Sequence, residues 1–377
     1  MIADLRALEE LTSGRRLAWT EDWMRARDWL RSRLDELPVE VEIDAAGNLW
    51  ATLPGASPEF VAVGSHIDSV PDGGWLDGAL GVLAGLEMLR ARADAELPVS
   101  LRLVDFADEE GARFGSSLVG SRAVAGTPDR DPALAEAALA CGFDMSRAGD
   151  AGAQLDGALA YLELHIEQGP VLERLGLQTA AVDGCAGVER HRITVPGEAA
   201  HGGAAPMTMR RDALVAASRA IIEVTELTRT VGGTATVGRI EAKPGVVTIV
   251  PGEVELVLDL RHPDPGGLAE LLEGARRAFG PEAVWEPVWR IDPIRFDPQL
   301  VELARDGGHV MTSGALHDAA AMAPLVPTVM LFVPSIRGIS HSREEDTAEE
   351  DIVAGVRSLD RLVDRLLERV SGPVARG

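Results

Sequence analysis

Short apolar runs alternate with helical periodicity through the first half of the chain, and this alternation limits the fold more than any other feature. The run "FVAVGS" at 60–65 precedes a helical pattern from about Gly78 to Arg92, "VSLRLVDFA" occupies 99–107, and "ALAYLELHIE" occupies 158–167. Strands of this length separated by helices predict an α/β domain with a largely parallel sheet, since parallel neighbours need a long crossover that a helix supplies. Further on, "PTVMLFVPS" at 327–335 reads as another buried strand. A last helix over 346–370 sets Ile352, Val356, Leu359, Leu362, Val363 and Leu366 at helical spacing, a core-facing stripe.

From about residue 187 the pattern changes. Strand "RHRITVPG", a helix over 209–228, strands "TATVGRIEA" and "GEVELVLDLRH", a helix over 266–279 and strand "EAVWEPVWR" follow in that order. The sequence βαββαβ is the ferredoxin-like arrangement, so this segment reads as a small inserted domain. The expected division is 1–186 with 297–377 as one domain and 187–296 as the other. A chain of 377 residues, 46% of them hydrophobic, is long and apolar enough to bury two cores.

Charge narrows the partners. A net charge of −24 would repel a phosphate backbone or an anionic bilayer, so neither nucleic acid nor membrane is expected as a partner. The first residues lack an apolar core followed by a small-residue cleavage site, and no window approaches eighteen uncharged apolar residues, which predicts a cytoplasmic protein. Cys141 and Cys185 are too few for a disulfide framework or a thiolate zinc site and read as buried thiols.

Polar residues collect where the apolar runs end: His66, the "DEE" at 108–110, and His165. In open α/β sheets the carboxyl ends of strands are where ligands bind. His66, Asp77, Glu110, His165 and His341 are residue types that bind zinc or a similar divalent ion. A single histidine at a strand end is more often structural, but here three of eight histidines converge on what should be one sheet edge. A pair of metal ions needs a carboxylate between them, capping ligands for each and a general base nearby. Asp77, just before a helix, is placed to bridge. Glu109 and Glu110 divide the remaining work, because neighbouring side chains of an extended segment point apart. Asp68, two residues after His66, can accept the second imidazole N–H.

The segments "GSHIDSVPDGGWLDGALGVLAGLEML", "DEEGARFGSSLVGSRA", "ELHIEQGPVLE", "HGGAAPMTMRRDAL", "LDLRHPD", "SGALHDAAAMA" and "VPSIRGISHS" closely resemble the hydantoinase/carbamoylase amidohydrolases. That group comprises the N-carbamoyl-L-amino acid hydrolases, β-ureidopropionases and allantoate amidohydrolases, within the wider di-zinc aminoacylase and carboxypeptidase clan. The resemblance runs in order across nearly the whole chain. It implies a di-metal exopeptidase-like catalytic domain and a ferredoxin-like lid that also forms a homodimer interface. His66 and His165 would hold one metal, Glu110 and His341 the other, with Asp77 bridging and Glu109 as general base. Zinc is implied first, with manganese, cobalt and nickel as further ions that such ligands accept.

Other implied roles are less direct. His201 resembles the histidine that stabilises the oxyanion in the partner subunit's site, and Arg261 resembles the arginine that binds a substrate carboxylate. Arginine suits that task because its planar fork meets a carboxylate bidentately. Gln168 is a candidate substrate contact, and His317 matches a motif position beside the metals, whereas His191, His262 and His309 read as structural. Thr248 stands where the group usually has asparagine, and a hydroxyl offers one donor where an amide offers two. The small-molecule substrate is therefore expected to be an N-carbamoyl amino acid or a related carboxylate. An aminoacylase or dipeptidase on the same scaffold is the alternative, and an inactive binding homologue a remote one. A serine hydrolase is disfavoured because no G-x-S-x-G occurs.

Overall fold

The computed structural model describes residues 1–371 and divides into two compact units. One comprises Met1–Gly184 with the chain from Arg295 onward, the other Cys185–Ile294.

The first unit is built on a nine-stranded sheet. Its centre is parallel: Ser100–Phe106 lies beside Phe60–His66, then Ala158–Ile166, then Thr328–Val333. Three of these four strands are buried along their whole length and the fourth from Ala160 onward, as both faces of a parallel sheet must be. The flanks are antiparallel, with Leu49–Leu53 against Ser100–Phe106 and Ala180–Cys185 against Thr328–Val333. Register fixes the chemistry at one edge. Val63 is level with Leu162, and continuing that pairing by three residues brings His66 level with His165. Helix Ala79–Ala91 is apolar almost all round and buried, so it locks the loop before it against the sheet.

One buried ion pair ties the amino-terminal helices to this edge. Helix Glu21–Leu34 is capped by the Thr20 hydroxyl, which accepts from the Trp23 N–H, and it buries Arg27 on its inner face. The Arg27 Nε lies 2.9 Å from Asp105 Oδ2, a charge contact without hydrogen-bond alignment, while Asp105 Oδ1 accepts from the Ile67 N–H at 2.8 Å. Arg27 also donates to the Gly47 carbonyl and lies over the Trp23 ring. Burial pushes the Asp105 carboxyl up to about 6, against the pull of Arg27.

The second unit is a four-stranded antiparallel sheet ordered Val284–Ile291, Gly187–Pro196, Glu253–His262, Thr234–Lys243. In chain order that is fourth, first, third, second, the ferredoxin-like topology. Helices Ala213–Val231 and Pro265–Phe279 cover one face over Ile193, Val195, Val254, Leu256, Leu258 and Leu260. Strand alternation then turns Asp259 and Arg261 to the opposite face. The first helix begins four residues later than the expected 209. Asp212 accepts from the Leu214 and Val215 N–H groups and so caps it, while Met207–Met209 forms a separate 3-10 turn after Pro206. Likewise the last helix of the chain starts at Glu349 instead of 346, and Val356 within its stripe is only half-buried.

Replacing Arg27 by Met should leave Asp105 buried and unpaired, lowering the unfolding free energy by about 3–5 kcal/mol in a denaturant titration. Adding Asp105→Asn should recover part of the loss. A change below about 1 kcal/mol in the single variant would show that the pair contributes little.

Candidate metal centre

Five ligand-type side chains meet at the carboxyl edge of the parallel strands. The His66 Nδ1–H donates to the Asp68 carbonyl at 3.1 Å, which leaves its Nε2 lone pair 3.7 Å from Asp77 Oδ1 and 3.6 Å from Glu109 Oε2. The His165 Nδ1–H donates to the Ile166 carbonyl at 2.9 Å, and its Nε2 accepts from the Gly78 N–H at 3.2 Å and lies 3.2 Å from Asp77 Oδ1. These tautomers follow from the partners of each Nδ1. The other Asp77 oxygen, Oδ2, is 3.3 Å from His341 Nε2, and His341 Nε2 is in turn 3.5 Å from Glu110 Oε2. Asp77 thus gives one oxygen to His66 and His165 and the other to the side of His341 and Glu110. Each trio is close enough to hold a cation.

A third close group, Glu163, His165 and His317, is already satisfied. Glu163 accepts from Ser65, Tyr161 and the Ala319 N–H, and His317 meets the Ser313 hydroxyl at 2.9 Å. His317 also sets its ring against that of His165, with centroids 4.5 Å apart.

Local backbone explains the convergence. Gly78 has φ +65°, and a Cβ there would overlap the His66 ring, so glycine is needed for the close approach of helix and imidazole. Glu109 and Glu110 reach different histidines, Glu109 lying by His66 and Glu110 by His341, but they are not part of an extended strand: the strand ends at Phe106, and Asp108, just before them, is left-handed with φ 55°. Asp68 also differs from expectation. Its carbonyl, not its carboxylate, lies within hydrogen-bond reach of the His66 Nδ1, while its carboxylate accepts from the Glu109 and Glu110 N–H groups at 3.2 Å each. It therefore fixes the pair of glutamates. Gln168, with φ 60°, donates its amide to Asp77 Oδ2 at 2.8 Å, among the candidate ligands.

Buried acceptors this close perturb one another's protonation. Burial, seconded by the Asp77 charge, pushes the Glu110 carboxyl up to about 7, and burial raises Glu109 well above the carboxylate range against the pull of His66. A hydrogen bond to Asp77 lifts His341 to about 9 against burial, and Glu109 and Asp68 lift His66 against a strong opposing burial effect. Such values mean that protons are held where oxygen and nitrogen lone pairs face one another. Glu110 Oε1 and Gln168 Oε1 are buried with no hydrogen-bond partner. Mixed imidazole and carboxylate lone pairs converging in a buried site fit divalent cations well.

Other predicted residues lie in the second unit. His201, in the short ladder Ala200–His201 with Ile249–Val250, is exposed, and its Nδ1 accepts from the Gly203 and Ala204 N–H groups, each at 3.1 Å. Thr248 is exposed and its carbonyl accepts from the Gly202 N–H. The Arg261 Nε donates to Asp259 Oδ1 at 2.9 Å, and Asp259 also takes Arg190.

Three residues at the centre escaped the sequence reading. Arg16 is fully buried and donates to the Ile67 and Gly74 carbonyls, clamping both ends of the loop behind His66. Ser340 and Glu345 contact Asp77 from the His341 side. In the sequence Arg16 is one of two adjacent arginines and Glu345 belongs to the charged run "SREED", both of which read as solvated surface. Only the adjacency of Ser340 to His341 could have marked it.

A family model described as Peptidase family M20/M25/M40 matches residues 62–365. An N-carbamoyl-L-amino acid amidohydrolase of Geobacillus stearothermophilus is 37% identical, over 94% of this chain and 93% of the relative. An allantoate amidohydrolase of Escherichia coli is 34% identical over 93% and 92%. The crystal structure of a hydantoinase/carbamoylase family amidase from Burkholderia ambifaria superposes with TM-score 0.86 at 32% identity, covering 99% of this chain and 98% of that one. The chain belongs to the M20/M25/M40 peptidase family, in its hydantoinase/carbamoylase branch.

With Glu110 at about 7 and His341 at about 9, both groups hold protons near neutrality in the metal-free protein, and a cation must displace them. Metal uptake should therefore release protons, and affinity should rise as pH climbs from about 6 to about 8. Calorimetry of zinc binding in buffers of different ionisation enthalpy reads this directly. Heats independent of buffer would contradict it.

Proposed function

We propose that this chain is a two-metal amidohydrolase that cleaves the carbamoyl C–N bond of an N-carbamoyl L-amino acid or a related ureido carboxylate. The observation that carries the reading is the division of Asp77 between two ligand pairs, with the Glu109 carboxylate beside one of them. His66 and His165 would hold one divalent ion, Glu110 and His341 the second, and Asp77 both. Zinc is the first candidate, and manganese, cobalt and nickel suit the same donors. When bound, such a pair polarises the scissile carbonyl and makes a water acidic enough to be deprotonated near neutral pH.

The protein's own groups do the rest. Glu109 takes the water proton and later delivers it to the leaving nitrogen, freeing the amino acid and a carbamate that breaks down to ammonia and carbon dioxide. A buried carboxyl with a raised pKa suits such shuttling, since general acid–base transfer is most effective near the operating pH. Arg261, its Nε anchored on Asp259, is assigned to the substrate carboxylate. His201 has its Nδ1 occupied as an acceptor, so its Nε2–H is the donor assigned, in the partner subunit's site, to negative charge developing on the carbonyl oxygen. The second unit is assigned the lid and homodimer contact, and the protein a cytoplasmic setting. No helix among the described residues is long and apolar enough to cross a membrane. The relatives' names support ureido substrates, while Thr248 in place of asparagine bears on which one.

Zinc-loaded enzyme assayed on carbamoyl, formyl and acetyl forms of several amino acids, and on allantoate, tests the substrate class. The highest kcat/KM is expected on a ureido compound, and a higher value on an acetyl compound would point to an aminoacylase. Glu109→Gln should keep its metal while the chemical step falls by about two to four powers of ten. Loss of metal in Glu109→Gln with retention in Glu110→Gln would reverse the two roles.

A further inference from the structure

Glu345 is a buried carboxylate four residues beyond His341, and its carboxylate oxygens are held by groups of the Asp77 loop and by Ser340 beside His341. Its Oε1 accepts from the backbone N–H groups of Leu76 and Asp77 at 3.1 and 3.0 Å, and its Oε2 accepts from the Ser340 hydroxyl at 2.9 Å. Ser340 Oγ is also 2.9 Å from Asp77 Oδ2. The His341 backbone is left-handed, φ 55°, a conformation that surrounding contacts must hold for a residue other than glycine. The turn after it closes through the Glu345 N–H to the Ser342 carbonyl at 3.0 Å. A second observation concerns Gly74. A Cβ there would overlap the Glu345 carboxylate, so the loop that carries Asp77 contains the one side-chain-free residue that gives Glu345 its place.

We propose that Glu345 is a positioning residue that seats Asp77 through its backbone and couples it to the His341 loop, and so governs metal occupancy of the Glu110 and His341 half of the centre. The proposal rests on the two-metal reading above. Its physical basis is the division of labour at Asp77. Oδ1 faces His66 and His165, which are carried by strands, whereas Oδ2 faces His341, which sits in a loop. The strand-borne half is held by the sheet. The loop-borne half depends on a link between two loops distant in sequence, and Glu345 with Ser340 is that link.

The test is titration of metal-free, full-length protein with cobalt(II), followed by visible absorption and equilibrium dialysis, with His341→Ala marking the absorption change of its own half. Wild type should take up two equivalents. In Glu345→Ala the equivalent marked by His341→Ala should weaken by about 10- to 100-fold, the range for losing a partner that orients a ligand, while the other changes little. Gly74→Ala should reproduce the loss by displacing the carboxylate without altering residue 345. Glu345→Gln should restore binding, because its carbonyl accepts both N–H groups and its amide donates to Ser340, whose hydroxyl turns to Asp77. Equal weakening of both equivalents, or an unchanged second equivalent in Glu345→Ala and Gly74→Ala, overturns the proposal. If Glu345→Ala does not fold, Gly74→Ala and Glu345→Gln decide it on the same readout. Fewer than two equivalents in wild type would overturn the two-metal reading and the proposal together, and would be visible before any substitution.

Discussion

Lone pairs of Asp77, Glu109, Glu110 and three imidazoles face one another in a site closed to water on the strand side, and the rest of the first unit holds them there. Such groups repel unless a proton or a cation stands between them. The raised carboxyl pKa values and the lifted histidines record proton sharing as the metal-free response. Resisting that repulsion takes several independent anchors. Sheet register levels His66 with His165, the Asp68 carboxylate grips the backbone of both glutamates, and Arg16 pins the loop carbonyls at Ile67 and Gly74. Glu345 adds a carboxylate under Asp77 from the far end of the chain. Beneath these, Arg27 and Asp105 secure the Ile67 N–H where the strand becomes loop.

The parallel core was legible because fully buried strands leave continuous apolar runs, and the inserted ferredoxin-like unit because its strands and helices alternate in period. The antiparallel flanks were not. Glu40–Ile43 is largely exposed and only four residues long, so it leaves no pattern that separates it from a loop. The helix expected over 209–228 starts ahead of Ala213–Val231 because Met209 extends the apolar spacing without being helical, and capping by Asp212 decides the start.

At the site, residue types at strand ends were informative, whereas the atoms used were not. Asp68 was expected to support His66 through its carboxylate and does so through its carbonyl, a choice made by a backbone turn that spacing does not encode. Glu109 and Glu110 were expected to divide as neighbours in an extended segment, whereas the strand stops at Phe106 and the two follow a left-handed residue at Asp108. Arg16, Ser340 and Glu345 were invisible for a common reason. Each acts on the backbone or a neighbour of a candidate ligand, and charged residues in polar segments look solvated until the fold buries them. The second unit's Arg261 illustrates the complementary case, where an expected substrate arginine is also a partner of Asp259 in its own strand.

Sharing of Asp77 between two cations is tested most directly by diffraction from crystals of zinc-loaded protein at the zinc absorption edge. A shared Asp77 should give two anomalous peaks separated by about 3.5–4 Å, each bonded to one Asp77 oxygen, with His66 and His165 at one and Glu110 and His341 at the other. A single peak, or two peaks of which only one touches Asp77, would contradict it.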